Sequence, residues 1–359
     1  MDPKTNNSPY GSGLISRERN PVNLESPFDQ LDSFLTPNEL FYIRSHFATP
    51  RLDASAHVLR IEGAVKNPYV IGMEELRGMP AQTRPVTLEC AGNGRIFLDP
   101  AVPGAQWELG AVGTAEWTGV PLRALLDRAE PSDGVCEVVF EGADHGCPKI
   151  TPAPPGEVVY ARSVPIGLKD DVLIAYRMNG EELAPDHGFP LRAIVPRHYG
   201  MASVKWLARI QAVSIPFHGY WQTADYGYWA DENGLPVLRP LGEMALKSSI
   251  ARPRNREVVK AGEIYPVFGA AWSGGAEVAH VDITIDEGKT WALAELVDKP
   301  EAGAWLRWKY EWPAPTKAGT YRLMSRARDT AGNVQPTVHD ERYGTYVINH
   351  QIPVEVLVK

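Results

Sequence analysis

TLECAGNGR, Thr87–Arg95, is the stretch on which the reading of this chain turns. An alternating strand, PVTLEC, runs directly into Cys90 and then meets the turn Gly92-Asn93-Gly94. Glycines in such a turn permit positive φ and let the backbone approach a ligand closely. Cys90 therefore stands at a strand end beside backbone donors, with Arg95 near enough to favour the thiolate. That placement suits a soft metal ligand or a nucleophile; a buried structural thiol is the plain alternative. A nucleophilic cysteine needs a positioned histidine. His46, His187 and His198 are candidates, and none has a diagnostic spacing.

Outward from this loop, strands dominate. VLRIEGAVK, Val58–Lys66, alternates apolar and polar residues as a half-buried strand does, and Asn67-Pro68 supplies a turn. CEVVFEG, Cys136–Gly142, reads as another strand, and VPLRALLDRA places Leu122, Leu125 and Leu126 on one face of a short helix. The opening stretch to about Asn38, rich in Asn, Pro, Ser and Gly, is expected to wrap over a domain rather than form one. Beyond Leu246 the texture changes to IYPVFGAAWSGG, AHVDITIDEGKTWALAELV, WLRWKYEWPAP and TYRLMSRARDTAGNVQ. Short alternating strands between Gly, Pro and Asn turns read as a β-sandwich of about 110 residues. The polar PRNREVVKAGE, bracketed by Pro253 and Gly262, reads as the junction.

Composition agrees with a β-rich molecule. At 359 residues the chain has length for two domains of about 150 residues or more. Its 32 glycines and 31 prolines favour many turns and argue against long helical bundles. With 36 Lys+Arg against 44 Asp+Glu, the net charge of −8 disfavours nucleic acid and anionic lipid as partners. No apolar run approaches the roughly 18 residues of a membrane span. Three cysteines, Cys90, Cys136 and Cys147, are too few for a disulfide scaffold and point to a reducing compartment, although one bridge remains open. The first 30 residues carry neither an apolar export core nor a twin arginine, so the expected location is cytoplasmic, or periplasmic if a signal has been removed.

Familiar catalytic signatures are missing. No G-x-x-x-x-G-K-[ST] is present, and the Gly-x-Gly at Gly11–Gly13 follows no strand. Nor does the chain contain H-E-x-x-H, paired C-x-x-C, G-x-S-x-G or the C-x-x-C-H of covalent haem.

A second signal, HGFPLRAIVPRHYGMASVKWLARI at His187–Ile210, completes a pattern that closely resembles the molybdenum-cofactor enzymes of the sulfite oxidase family. The resemblance spans most of the chain in separated motifs: YIRSH (Tyr42–His46), ECAGNGR (Glu89–Arg95), QWELGAVGTAEW (Gln106–Trp117), FEGAD (Phe140–Asp144), MNGEELAPDHGFPLR (Met178–Arg192) and WQTADY (Trp221–Tyr226). GAAWSGGAEVAHVDITIDEGKTW, Gly269–Trp291, is similar to the family's second domain. The implied fold is α+β and β-rich: a sulfite-oxidase-like molybdopterin-binding domain over 1–245, followed by an immunoglobulin-like β-sandwich dimerisation domain over 246–359. A homodimer is expected, with the aromatic strand WLRWKYEW offering apolar contact.

By the same resemblance Cys90 is the metal ligand, a thiolate beside a pterin dithiolene. The pterin, with its phosphate and many-edged ring, would be held by Tyr42, Ile43, Arg44, Ser45, His46, Asp144, His187, Arg192, Ser203, Val204 and Lys205. Tyr226 matches the active-site tyrosine, Arg44 and Arg95 match arginines facing a small oxyanion, and Trp107 would form a wall. His198 matches no ligand. Sulfite-oxidising members carry a further arginine where this chain reads DERYGTYVINH, with Arg342 displaced, and Ala202 stands where relatives often have arginine. Oxygen-atom transfer from sulfite to sulfate is therefore the leading expectation. Reduction of nitrate or an S-oxide by the same cofactor is the alternative, and a non-catalytic β-sandwich binding protein is the alternative of another class. No haem is expected, so electrons would pass to a separate acceptor, a cytochrome or oxygen.

Overall fold

A computed structural model describes residues 13–149 and 153–359. Gly11 and the rest of the first twelve residues, including part of the opening stretch and of its Gly-x-Gly, lie outside the described residues.

Two five-stranded sheets build the first half. In one, Glu181–Glu182, Leu173–Met178, Val112–Pro121 and Gln82–Glu89 lie side by side, with Arg192–Ile194 also paired to Leu173–Met178. In the other the order is Tyr69–Gly72, Val58–Gly63, Leu207–Val213, Glu137–Gly146, Val158–Pro165, and Val58–Gly63 runs parallel to Leu207–Val213. The strand expected to reach Lys66 stops at Gly63, whose φ is +93° and whose position would set a Cβ 2.3 Å from Ala212 O. Only glycine fits that approach, and the chain turns away there.

The expected helix forms as Leu122–Ala129, with Leu122, Leu125 and Leu126 fully buried on one face. They join Ile61, Leu76, Val138 and Ile210 in a core between the two sheets. Helices are otherwise scarce, because β-branched and turn residues dominate the rest.

The second half has a four-stranded sheet, Lys247–Arg252, Ile264–Trp272, Leu306–Pro313 and Glu295–Leu296. Facing it is a five-stranded sheet, Glu257–Val259, Val354–Val358, Gly319–Asp329, Val278–Thr284 and Ala292–Leu293. Val267, Trp308 and Trp312 from the first meet Val281, Leu323 and Val356 from the second in one core. PRNREVVKAGE is not a connector: its Glu257–Val259 is an edge strand parallel to Val354–Val358. Its polarity marks an edge, where alternate residues face water.

The tryptophans of WLRWKYEW also differ from expectation. Trp308 and Trp312 fill the core just described, and Trp305 packs with the first half's core while its Nε1 donates to Phe34 O at 2.9 Å. All three are at most 1% exposed, so none is left to form a contact between protomers.

From Gly13 to Asn38 the chain does wrap over the rest. Glu25 anchors it to the first half by accepting from the backbone N–H of Glu108 at 3.1 Å and of Gly110 at 2.7 Å, while Asp32 pairs with Arg252 of the second half at 2.6 Å. All three cysteines are free, and among the described residues no helix is long and apolar enough to cross a membrane.

Truncating Leu126 to alanine removes a side chain that is fully buried. The expected loss is about 2–5 kcal/mol of unfolding free energy by denaturant titration. A loss well under about 1 kcal/mol would mean that the helix is not part of the core.

Candidate active site

Cys90 follows the last residue of the strand Gln82–Glu89 and is 7% exposed. Its N–H donates to Ala111 O at 2.9 Å, and its own carbonyl accepts from Asn93 N at 2.8 Å, which closes the turn. The sulfur faces a cleft of about 670 Å³, its open mouth included. Twelve of the residues expected from the sequence line this cleft: Tyr42, Ile43, Arg44, Ser45, His46, Cys90, Asp144, His187, Arg192, Ser203, Lys205 and Tyr226. Widely separated segments thus converge on one volume.

Three expected residues stand outside the lining. Val204 is buried one residue from it, and its carbonyl accepts from Ala193 N at 2.8 Å. Trp107 is fully buried in the same apolar group as Cys90, with its indole N–H unpartnered. Arg95 donates to Thr345 O at 3.1 Å and Ala105 O at 2.8 Å, and its guanidinium lies 5.2 Å from the centre of the Tyr346 ring. His198 is held by Pro196 O at 3.0 Å, Ala202 is buried, and Arg342 is bound at the surface to Asp340; none of them lines the cleft.

In the cleft wall, Lys205 Nζ donates to Ser45 Oγ at 2.8 Å and Asp186 O at 2.9 Å. Arg192 donates to His187 O at 2.8 Å and Ser203 O at 3.1 Å, with its guanidinium 4.8 Å from the Trp117 ring centre. Burial, then the nearby Arg192, lowers Lys205 to about 7, while burial raises Asp144 to about 7 against the pull of Lys205. Both shifts express one fact: the two groups are buried, and burial favours the neutral form of each.

In the same cleft, Tyr226 Oη lies 2.7 Å from His46 Nε2. Burial holds the Tyr226 hydroxyl well above the ordinary phenol range, only partly offset by Arg44, so it keeps its proton at neutral pH. His46 is pushed far down by burial and then by Arg44, Lys205 and Arg162, and stays neutral. Its ring stacks on Tyr160 at 4.8 Å and touches Trp221 at 4.4 Å. Burial lowers Arg44, but neighbours that become anionic only at high pH, Tyr226 first, raise it by more, so it remains a cation through the neutral range.

Sequence reading missed Tyr160, Asp186 and Arg162. Asp186 sits beside His187 in a quoted motif and could have been found by adjacency. Tyr160 and Arg162 lie in the strand Val158–Pro165, whose alternation looks like any half-buried strand. Arg162 is 1% exposed, donates to Trp221 O and Leu241 O, and lies 5.8 Å from the Tyr226 ring centre.

The donor set fits a molybdenum–pterin group. Cys90 would offer a soft sulfur ligand, and within the buried wall Asp144 Oδ1 and Arg192 Nε have no hydrogen-bond partner. An acceptor and a donor left orphaned in a cleft are what a ring bearing N–H and carbonyl edges would satisfy. Among the described residues no group of three or more His, Cys, Asp or Glu is placed to hold a metal ion.

Comparison with known proteins decides the assignment. Residues 46–221 match the oxidoreductase molybdopterin binding domain, and residues 239–349 match the Mo-co oxidoreductase dimerisation domain. Sulfite oxidase of Gallus gallus is 38% identical over 94% of this chain and 76% of its own. The chain belongs to the sulfite oxidase family. It is a molybdopterin-dependent oxidoreductase, which removes the reading as a non-catalytic binding protein. A nitrate reductase [NADH] of Volvox carteri is 32% identical over 89% of this chain, which spans 40% of that longer protein. The solved sulfane dehydrogenase SoxCD of Paracoccus pantotrophus superposes with a TM-score of 0.82 at 26% identity, covering 99% of this chain and 92% of that one. The family's architecture thus extends through both halves.

His187 offers a test of the dry wall. Burial, then Arg192 and Lys205, lowers its imidazole to about 3, and it is 5% exposed. Unfolded, it titrates near about 6.5. Below that value the unfolded chain therefore binds one more proton than the folded one, and stability falls as pH falls toward the folded value. In cofactor-free protein, His187→Asn is expected to flatten the pH dependence of unfolding free energy between about pH 6 and 4 by about 1.4 kcal/mol per pH unit. Equal slopes in denaturant titrations of the two proteins would refute it.

Proposed function

We propose that this enzyme oxidises sulfite to sulfate, SO₃²⁻ + H₂O → SO₄²⁻ + 2 H⁺ + 2 e⁻, passing the electrons to a separate acceptor, a cytochrome or oxygen. The observation that carries this reading is that Cys90, Arg44 and Tyr226 line a single cleft and lie near one another there. When bound, the molybdenum–pterin group supplies two-electron oxygen-atom transfer.

The chain's residues do the rest. Cys90 gives the metal its protein ligand. Arg192, Lys205, His187 and Ser203 hold the pterin and its phosphate, and Asp144 accepts from ring N–H groups. Tyr42, Ile43, Ser45, Val204 and His46 shape the wall, some through their backbone. Arg44 binds the oxyanion, with Arg95 behind it. Tyr226 keeps its hydroxyl proton and offers a hydrogen bond toward substrate, and His46 fixes the direction of that hydroxyl. Trp107 backs the apolar side of Cys90. In this reading a separate acceptor completes turnover.

The reductive reading, with nitrate or an S-oxide as oxidant, is favoured by one observation. Arg95 is engaged by two backbone carbonyls and by Tyr346, which leaves fewer free cations than a doubly charged anion would use. Steady-state turnover on sulfite with an artificial acceptor, and reoxidation of dithionite-reduced protein by nitrate and by an S-oxide, separate the readings. Sulfite turnover that Cys90→Ser lowers at least a hundredfold is expected; molybdenum-replete protein that turns over no sulfite would overturn the assignment while leaving the cofactor in place.

The second half, taken as an immunoglobulin-like sandwich divided from the first at 245/246, would join two chains into a homodimer. Its match to a dimerisation domain supports this. Sedimentation at micromolar concentration is expected to give a dimer, and a single monomeric species would exclude it.

A further inference from the structure

The residue before the metal-ligand cysteine is a buried carboxylate. Glu89 is 1% exposed and accepts three hydrogen bonds: from Lys247 Nζ at 2.9 Å, from Asn93 Nδ2 at 3.1 Å and from Trp272 Nε1 at 2.8 Å. Two of these donors come from the second half. Lys247 and Trp272 are opposite each other in the pairing of Lys247–Arg252 with Ile264–Trp272, so one rung of that sheet presents both groups to one carboxylate.

Lys247, itself 2% exposed, also donates to Asn93 O at 3.0 Å, inside the turn that follows Cys90. Val347 N, again from the second half, donates to Ala91 O at 2.8 Å. On the opposite side, Asn93 Oδ1 accepts from Ala111 N at 3.0 Å, and Cys90 N donates to Ala111 O at 2.9 Å. Each residue from Glu89 to Ala91, and Asn93, is therefore held by a hydrogen bond, and the second half contributes at three of these four positions.

As a source of stability a buried ion pair is poor, because desolvation offsets the attraction between the charges. Its better-attested use is to fix one arrangement among several. Here the arrangement fixed is that of the segment bearing Cys90. A thiolate ligand placed loosely would hold the metal loosely, and supporting contacts around a ligand are what set its pose.

We propose that Lys247 and Trp272, supplied by the second half, are positioning residues that act through Glu89 to hold the Cys90 sulfur in its metal-binding pose. The inference rests on the reading of Cys90 as the metal ligand. It gives the second half a part in the active site of its own chain, separate from dimerisation.

The test uses the full chain in a Cys136→Ala, Cys147→Ala background, so that labelling reports Cys90 alone. Two quantities are read: the rate of Cys90 alkylation by iodoacetamide in cofactor-free protein, and the sulfur-to-metal charge-transfer absorption of oxidised, molybdenum-loaded protein. Lys247→Met leaves a buried carboxylate uncompensated and so threatens folding. The paired change Glu89→Gln with Lys247→Met removes both charges, and Trp272→Phe removes one donor while keeping most of the ring.

The double variant is expected to melt near the parent protein yet alkylate at least tenfold faster and show a shifted absorption maximum. Trp272→Phe should alkylate at least threefold faster, and Lys247→Arg should recover part of the parent's behaviour. Arg252→Ala, which loosens the two halves at Leu31 and Asp32, should leave alkylation within twofold of the parent. Parent-like alkylation and absorption in the double variant would overturn the proposal, as would an equal acceleration in Arg252→Ala, which would mean general loosening. An unchanged absorption band in Cys90→Ser would overturn the ligand reading and this proposal with it. Unchanged alkylation in the double variant would overturn this proposal alone.

Discussion

Glu89 carries its charge in the interior, and the two halves of the chain are joined around it. A carboxylate removed from water loses several kcal/mol of solvation, and three donors are needed to offset that loss. Only one, Asn93, belongs to the first half; Lys247 and Trp272 require the second half to be folded and seated. The geometry of the cysteine loop is thus conditional on the interface between the halves. Trp305 of the second half, inserted into the first half's core, and the segment from Gly13 to Asn38, which touches both, act in the same direction.

Inside the cleft a second constraint operates. The chain as a whole is acidic at −8, yet Arg44, Arg192 and Lys205 line the cleft against Asp144 and Asp186. Low dielectric makes these few charges count for more than the distant surface. The same dryness pushes Asp144 up and Lys205 down toward neutrality. A bound phosphate would favour the charged form of Lys205, and ring N–H groups that of Asp144.

Much of this was legible in the sequence, for identifiable reasons. Period-two alternation marked the strands around Thr87, Val58 and Val138, and three leucines marked the one helix expected. The cleft was legible through separated motifs, because most of its lining falls on the strand ends and turns where those motifs lie. The edge strand Glu257–Val259 was not, since an edge is half solvated and its polar residues look like a linker. The aromatic strand Leu306–Pro313 was misread because burial on a sheet's inner face and burial against a partner leave the same alternation. The bond from Glu89 to Lys247 spans 158 residues, and no local pattern announces it.

Arg95 shows how position and availability come apart. It sits close to Tyr226, near enough that its charge lowers that phenol somewhat, yet it is 5% exposed and committed to Thr345 O and Ala105 O. Tyr346 covers one of its faces and is in turn held by Asp225 through its hydroxyl at 2.7 Å. A guanidinium fixed in this way still contributes field, but it reaches a substrate only if that carbonyl pairing is exchanged. Arg44 lines the cleft and stays a cation, although its guanidinium also donates to Ser45 O and Asn23 Oδ1. In the proposed reading an anion would therefore meet Arg44 in the cleft wall, with Tyr226 as a neutral donor near it, and Arg95 would bias the field from outside the lining.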